Sequence, residues 1–271
     1  MTVIVGVHGV GNYQPELGPA EAAAKIGVVW TTALAKSAGD GYDLSMAYYA
    51  HRLQRGVQQG LDDNPDTLDD AERAMLVDWY AALRGAPEPA QGWFTLPPRQ
   101  LLGAIADSVP GGNAVGPFMV GALRELRRYF GDEDRRVKAR DDVAKVIADR
   151  SPSIVLAHSL GSVVAYEALW ANPDLPVDLF VTVGSPLAIR GTVFDRLVPT
   201  PPTDGRKAPK PPGVRRWANL ADPGDLCAVP RWLSRAFDVD PDREAPIGVF
   251  KFHGVARYLA CAELAEILRG A

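Results

Sequence analysis

Cysteine is almost missing from this chain, at two of 271 residues, Cys227 and Cys261. Their wide separation excludes a thiolate metal site and a disulfide framework as the source of stability. A reduced pair in a cytoplasmic protein is expected, with one Cys227–Cys261 disulfide as the alternative. Histidine is scarce as well, at four residues. No His-x-x-x-His or clustered His/Asp set appears, so no catalytic metal and no cofactor are expected. Long apolar runs are also lacking: none reaches the ~18 residues of a membrane span, and the opening MTVIVGVHG lacks the basic start and apolar core of a signal peptide. Nor is there an excess of positive charge. With 29 basic and 33 acidic residues the net charge is −4, which argues against nucleic acid as the main partner. Finally, no G-x-x-x-x-G-K-[ST] occurs, so there is no P-loop.

What is present is ordinary in amount and informative in order. Hydrophobic residues make up 47% and charged residues 23%, as in a soluble globular protein. A chain of this length forms one large domain, or one domain with a substantial insertion. Val3–Val7 is a short β-branched apolar run, suited to a strand buried on both faces. Further strands are expected at Asp43–Ala50, Ile154–Ala157, Leu179–Val183, Arg215–Leu220 and Val249–Phe252. Helices are expected at Pro19–Lys36, with Ala22, Ile26, Val29 and Ala33 on one side, and near 132–150, 160–171 and 256–269. Strands alternating with amphipathic helices predict an α/β fold, a mostly parallel sheet covered by helices on both faces.

The second and third strands are roughly a hundred residues apart, far more than one crossover helix requires. Within that stretch, TLDDAERAMLVDWYAAL opens as an acidic helix with Thr67 and Asp70 in a capping pattern. A proline-rich loop and an apolar, glycine-rich segment follow. The stretch from about 52 to 130 reads as a helical insertion, either a packed elaboration of the core or a lid over an active site.

The stretch IVLAHSLGSVVAYEAL, Ile154 to Leu169, carries the chemistry. An apolar strand runs into a tight turn holding Ser159, and a helix begins near Leu160. A-H-S-L-G matches the nucleophile-elbow pattern G-x-S-x-G with alanine in the first small position. Ala157 and Gly161 leave room for close approach of strand and helix, and Ser159 stands at a helix N-terminus that favours negative charge. The alternative for Ser159 is a simple helix cap.

A serine hydroxyl needs a base. His158 adjoins Ser159 and is expected to serve packing, while His8 and His51 precede the serine. In the order Ser, acid, His, only His253 qualifies. RRWANLADPGDLCAVP offers Asp222 and Asp225 as the acid that orients the histidine. Asp222, before Pro-Gly, fits a turn; Asp225, before an apolar run, fits a buried partner and is preferred.

Several motifs, HGVG at 8–11, AHSLGS at 157–162, VTVGSPL at 181–187, NLADPGDLCAVP at 219–230 and FHGVARY at 252–258, make the chain resemble the α/β-hydrolase superfamily, in its lipase- and esterase-like branch. The resemblance spans most of the chain except about 52–130, and implies a sheet lacking the family's two leading strands. Asp225-Leu226-Cys227-Ala228 is similar to the family's acid loop, which supports Asp225. It further implies an ester-hydrolysing enzyme with a small-molecule or lipid-like ester as substrate. Alternatives on the same residues are an acyltransferase, a thioesterase or a non-catalytic binding protein that keeps the fold.

The opening loop, VHGVGNYQP, is then read by elimination. A dinucleotide fingerprint fails because Gln14 stands where a third glycine is needed, and a metal site fails because His8 has no partners. An elbow needs a second oxyanion donor from an early strand-to-helix loop. The expected donors are the backbone N–H groups of Val10 and Leu160, with His8, Gly9, Gly11 and Gly161 as structural support.

Overall fold

The computed structural model describes residues 1–54, 64–108, 112, 115–248 and 253–270. Six parallel strands form one sheet in the order β2-β1-β3-β4-β5-β6. They are β1 (Thr2–Val7), β2 (Tyr42–Ala47), β3 (Ile154–His158), β4 (Val177–Val183), β5 (Val214–Ala221) and β6 (Asp242–Glu244). The expected strand Val249–Phe252 lies outside the described residues; β6, which was not expected, is a three-residue strand paired with Asn219–Ala221.

Period-2 alternation splits the strand residues between two apolar clusters. Val5, Val7, Val155, Ala157, Phe180 and Trp217 face one, and Ile4, Ile154, Leu156, Leu179, Val181 and Leu220 face the other. The second cluster is closed by α1 (Pro19–Ala38) and, at the C-terminus, α7 (Val255–Leu259) and α8 (Ala262–Arg269). The C-terminal helix expected as one is two, because Cys261 takes an extended conformation as the start of α8. In α1, Ala22, Ile26, Trp30, Ala33 and Leu34 are buried, whereas Val29 is 53% exposed. The buried arc is centred near Ile26, so Val29 falls on its rim and Trp30 takes the inward place.

The other face carries α2 (Asp70–Leu83), α3 (Pro98–Ala106), α4 (Val115–Gly131), α5 (Glu133–Arg150) and α6 (Leu160–Ala171). All contribute to the cluster on which Val5 and Phe180 lie, so the described residues of the long stretch between β2 and β3 share that core. Thr67 does not cap α2. It ends a short 3-10 turn, and Asp69 and Glu72 exchange hydrogen bonds across the first turn instead, at 2.7 and 2.9 Å. The two cysteines are free. Among the described residues no helix is long and apolar enough to cross a membrane.

This topology has a consequence for function. From β1 the chain goes to β2 on one side, and later returns to place β3 on the other. Strand order therefore reverses between β1 and β3, and open α/β sheets bind ligands at the carboxyl ends of the strands there. The loops at that point begin with His8 and Ser159.

Candidate active site

Ser159 adopts φ 55° and ψ −133° between β3 and α6, a conformation that non-glycine residues rarely hold and that costs on the order of 1–3 kcal/mol. The turn is fixed from below, where the Ser159 N–H donates to the Val183 carbonyl at 3.1 Å, and from above, where Ser162 N–H and Oγ donate to the Ser159 carbonyl at 2.9 and 2.6 Å. Two glycines make the approach possible. A β-carbon at Gly161 would stand 2.3 Å from the His8 carbonyl oxygen and 2.4 Å from that of Val7, and one at Gly9 would stand 2.5 Å from Ser159 Cβ. The β1 loop and the elbow are thus packed backbone to backbone.

His253 reaches the same place from the other end of the chain. Its Nδ1–H donates to both oxygens of Asp225, at 2.9 and 3.0 Å. The pair flanks Gly184, where a β-carbon would meet Asp225 Oδ2 at 2.7 Å and His253 Cε1 at 3.2 Å. Gly184 follows Val183, whose carbonyl holds Ser159, so base and elbow share one strand end. Asp225 also accepts from the Tyr258 hydroxyl at 2.7 Å and from the Cys227 N–H at 2.8 Å. Asp222 does not touch His253: its carboxylate accepts from the Gly224 and Ile247 amides, both at 2.7 Å, and so shapes the loop. The Tyr258 hydroxyl accepts from the Asp222 N–H at 2.8 Å while donating to Asp225. Sequence reasoning overlooked Tyr258, which sits in α7, five residues past His253.

The His158 ring centroid lies 4.4 Å from that of His253. Burial, with the neighbouring His253 second, holds His158 well below its ordinary pKa, so it stays neutral. From α4, Phe118 packs on His253 with centroids 5.2 Å apart. Ser159 is 3% exposed and His253 5%. His253 Nε2 is buried and has no hydrogen-bond partner, so it is not bonded to Ser159 Oγ in this state. A surface groove of about 840 Å³ lies elsewhere, between α1, β2 and α5. None of Ser159, Asp225 and His253 lines it.

The loop after β1 is held with equal care. His8 accepts the Tyr49 N–H on Nε2 at 3.3 Å, so its proton is on Nδ1, which donates to the Gly9 carbonyl at 2.9 Å. Burial lowers the His8 pKa to about 4, and its ring stacks on Tyr49. Gly11, at φ 73°, donates its N–H to Glu125 Oε1 at 2.7 Å. Val10 is half-buried between these two glycines, and Leu160 begins α6.

Glu125 has a pKa pushed up to about 7 by burial, against the pull of the Gly11 amide and of Arg128. Its folded pKa exceeds its ordinary value of 4.5, so the folded state holds the proton more tightly. That contribution to stability is complete below about pH 4.5 and is lost as pH rises through about 7. Glu125→Gln is therefore expected to gain thermal stability relative to the wild type between pH 5 and pH 8, read as the difference in Tm at the two values. An unchanged difference would reject the shift.

Asp225, Cys227 and His253 offer one ligand atom each within 4.8 Å of one another. Metal binding there would have to break the Asp225–His253 hydrogen bonds and ionise Cys227, whose thiol burial pushes well above its usual pKa. The group is built as an acid–histidine pair. No known family model matches the chain, and no curated protein matches it.

Proposed function

We propose that this chain is a serine hydrolase of the α/β-hydrolase type that cleaves carboxylic esters. The observation that carries the reading is the Asp225–His253 pair standing at the strand end whose Val183 carbonyl holds the strained Ser159 elbow. The third, fifth and sixth strands precede the serine, the acid and the histidine, an order compatible with that fold stripped of its two leading strands.

In this reading Ser159 Oγ attacks the ester carbonyl carbon while His253 Nε2 takes its proton. Asp225 holds the Nδ1–H tautomer and stabilises the imidazolium. The oxyanion of the tetrahedral intermediate receives the N–H groups of Val10 and Leu160. Collapse breaks the carbon–oxygen bond to the alcohol, which leaves with the proton from His253. Water then attacks the acyl-serine and gives its proton to His253, which returns it to Ser159 Oγ as the acyl bond breaks and the acid leaves. Phe118 against the base gives the centre an apolar wall, which suits a lipophilic acyl ester.

A fluorophosphonate probe tests the reading. It is expected to add its phosphonyl mass to the peptide containing Ser159, and to leave the Ser159→Ala variant unlabelled. Label on another residue, or none on the folded wild type, would reject it.

A further inference from the structure

Among the described residues, the peptide units on either side of Val10 are bonded at every polar atom except the Val10 N–H. The Gly9 carbonyl accepts from His8 Nδ1–H at 2.9 Å and from the Asn12 side-chain amide at 2.9 Å. In a trans peptide the N–H points opposite to the carbonyl, so these bonds aim the Val10 N–H away from His8 and Asn12. In the next unit, the Val10 carbonyl accepts from Asn12 Nδ2 at 3.1 Å, and the Gly11 N–H donates to Glu125 Oε1 at 2.7 Å. The Val10 N–H remains as the group the clamp presents.

Glu125 is the distant member of this clamp, on α4, and α4 also carries Phe118 against His253. Residues 118 and 125 are seven apart, two turns along one helical stripe. One helix of the stretch between β2 and β3 thus touches both the base and the loop expected to hold the oxyanion. Arg128, Tyr48 and Tyr49 are the charged and titratable groups near the Glu125 carboxyl.

We infer that Glu125 is a positioning residue of the oxyanion hole: by accepting the Gly11 N–H it fixes the peptide after Val10, and so the direction of the Val10 N–H. This rests on the hydrolase reading above. Glu125 touches no reacting atom and acts through the backbone. A misdirected donor fails the transition state while leaving ground-state binding nearly intact, so the loss falls on kcat.

The test uses the full chain with p-nitrophenyl butyrate as substrate and a trifluoromethyl ketone as tetrahedral analogue. Glu125→Ala is expected to lower kcat and analogue affinity together by about 10- to 100-fold, with KM changed less than about twofold. Glu125→Gln, which keeps an acceptor for Gly11, is expected to restore most of both. Wild-type kcat and analogue affinity in Glu125→Ala, or a change confined to KM, overturns the proposal. If Glu125→Ala does not fold, Asn12→Ala decides, since it releases the same peptide from its other end. It must then lose kcat and analogue affinity in the same ratio, and wild-type values overturn the proposal. Ser159→Ala separates the two levels. If it hydrolyses the ester at the wild-type rate, the hydrolase reading falls and takes the proposal with it. If it is inactive while the clamp variants match the wild type, the proposal falls alone.

Discussion

Ser159→Ala and His253→Ala are each expected to lower kcat for p-nitrophenyl butyrate by about 10⁴-fold or more, and the double variant is expected to be no slower than either. The reason is that the two groups perform one act. Without Nε2 to take the proton, Oγ stays a poor nucleophile, and without Oγ the base has nothing to deprotonate. Asp225→Asn belongs to the same set, at about 10⁴-fold, because an amide in place of the carboxylate can stabilise neither the Nδ1–H tautomer nor the imidazolium. Asp222→Asn separates the carboxylates. Its contacts are to the Gly224 and Ile247 amides, so it should cost stability while turnover per folded molecule stays within about tenfold. Steady-state kinetics on the five proteins, each checked for folding, gives the answer. Additive losses in the double variant would mean that Ser159 and His253 do not act together.

The second large effect is on stability. Glu167, on α6 just beyond the elbow, is fully buried. It accepts from the Tyr129 hydroxyl at 2.7 Å, from Arg136 Nε at 2.9 Å and from the Val198 N–H at 2.9 Å. Arg136 makes a second bond to it and also donates to the Arg196 carbonyl. The network ties the helix behind Ser159 to α4, α5 and the loop after β4. Glu167→Ala removes the buried anion and leaves the Arg136 guanidinium with only the exposed Glu133 carboxylate at 3.7 Å, which costs about 3–5 kcal/mol. For a chain of this size the melting temperature should fall by roughly 10 °C. Replacing Glu167 and Arg136 together by Leu and Met should recover most of the loss. Urea denaturation of both variants checks this, and a single variant within about 1 kcal/mol of wild type would contradict it.

Sequence made the elbow legible because everything it needs is local: a strand, small residues two places either side of Ser159, and a helix. His253 stood out through scarcity, since few histidines leave little choice. Chain order narrowed the acid to Asp222 or Asp225. Which of them bonds to His253 depends on how a loop closes over Tyr258, a contact between segments 33 residues apart. Glu125 and Phe118 were illegible for a stronger reason, because they arrive on a helix whose sequence shows only an apolar stripe and a basic end. The edge strand Asp242–Glu244 was not legible because it is short and charged throughout, as suits a strand with a solvated border.

The order of strands also distributes stiffness. Ser159 grows from β3, which has neighbours on both sides, like a load at the clamped middle of a beam. His253 follows β6, three residues long and, among the described residues, at the beam's end. Such ends open at lower free energy than the middle. The Tyr258 strut and the Phe118 pad, both reaching the Asp225–His253 pair from helices, are then what lends the softer half of the proposed triad the rigidity that the sheet gives freely to Ser159.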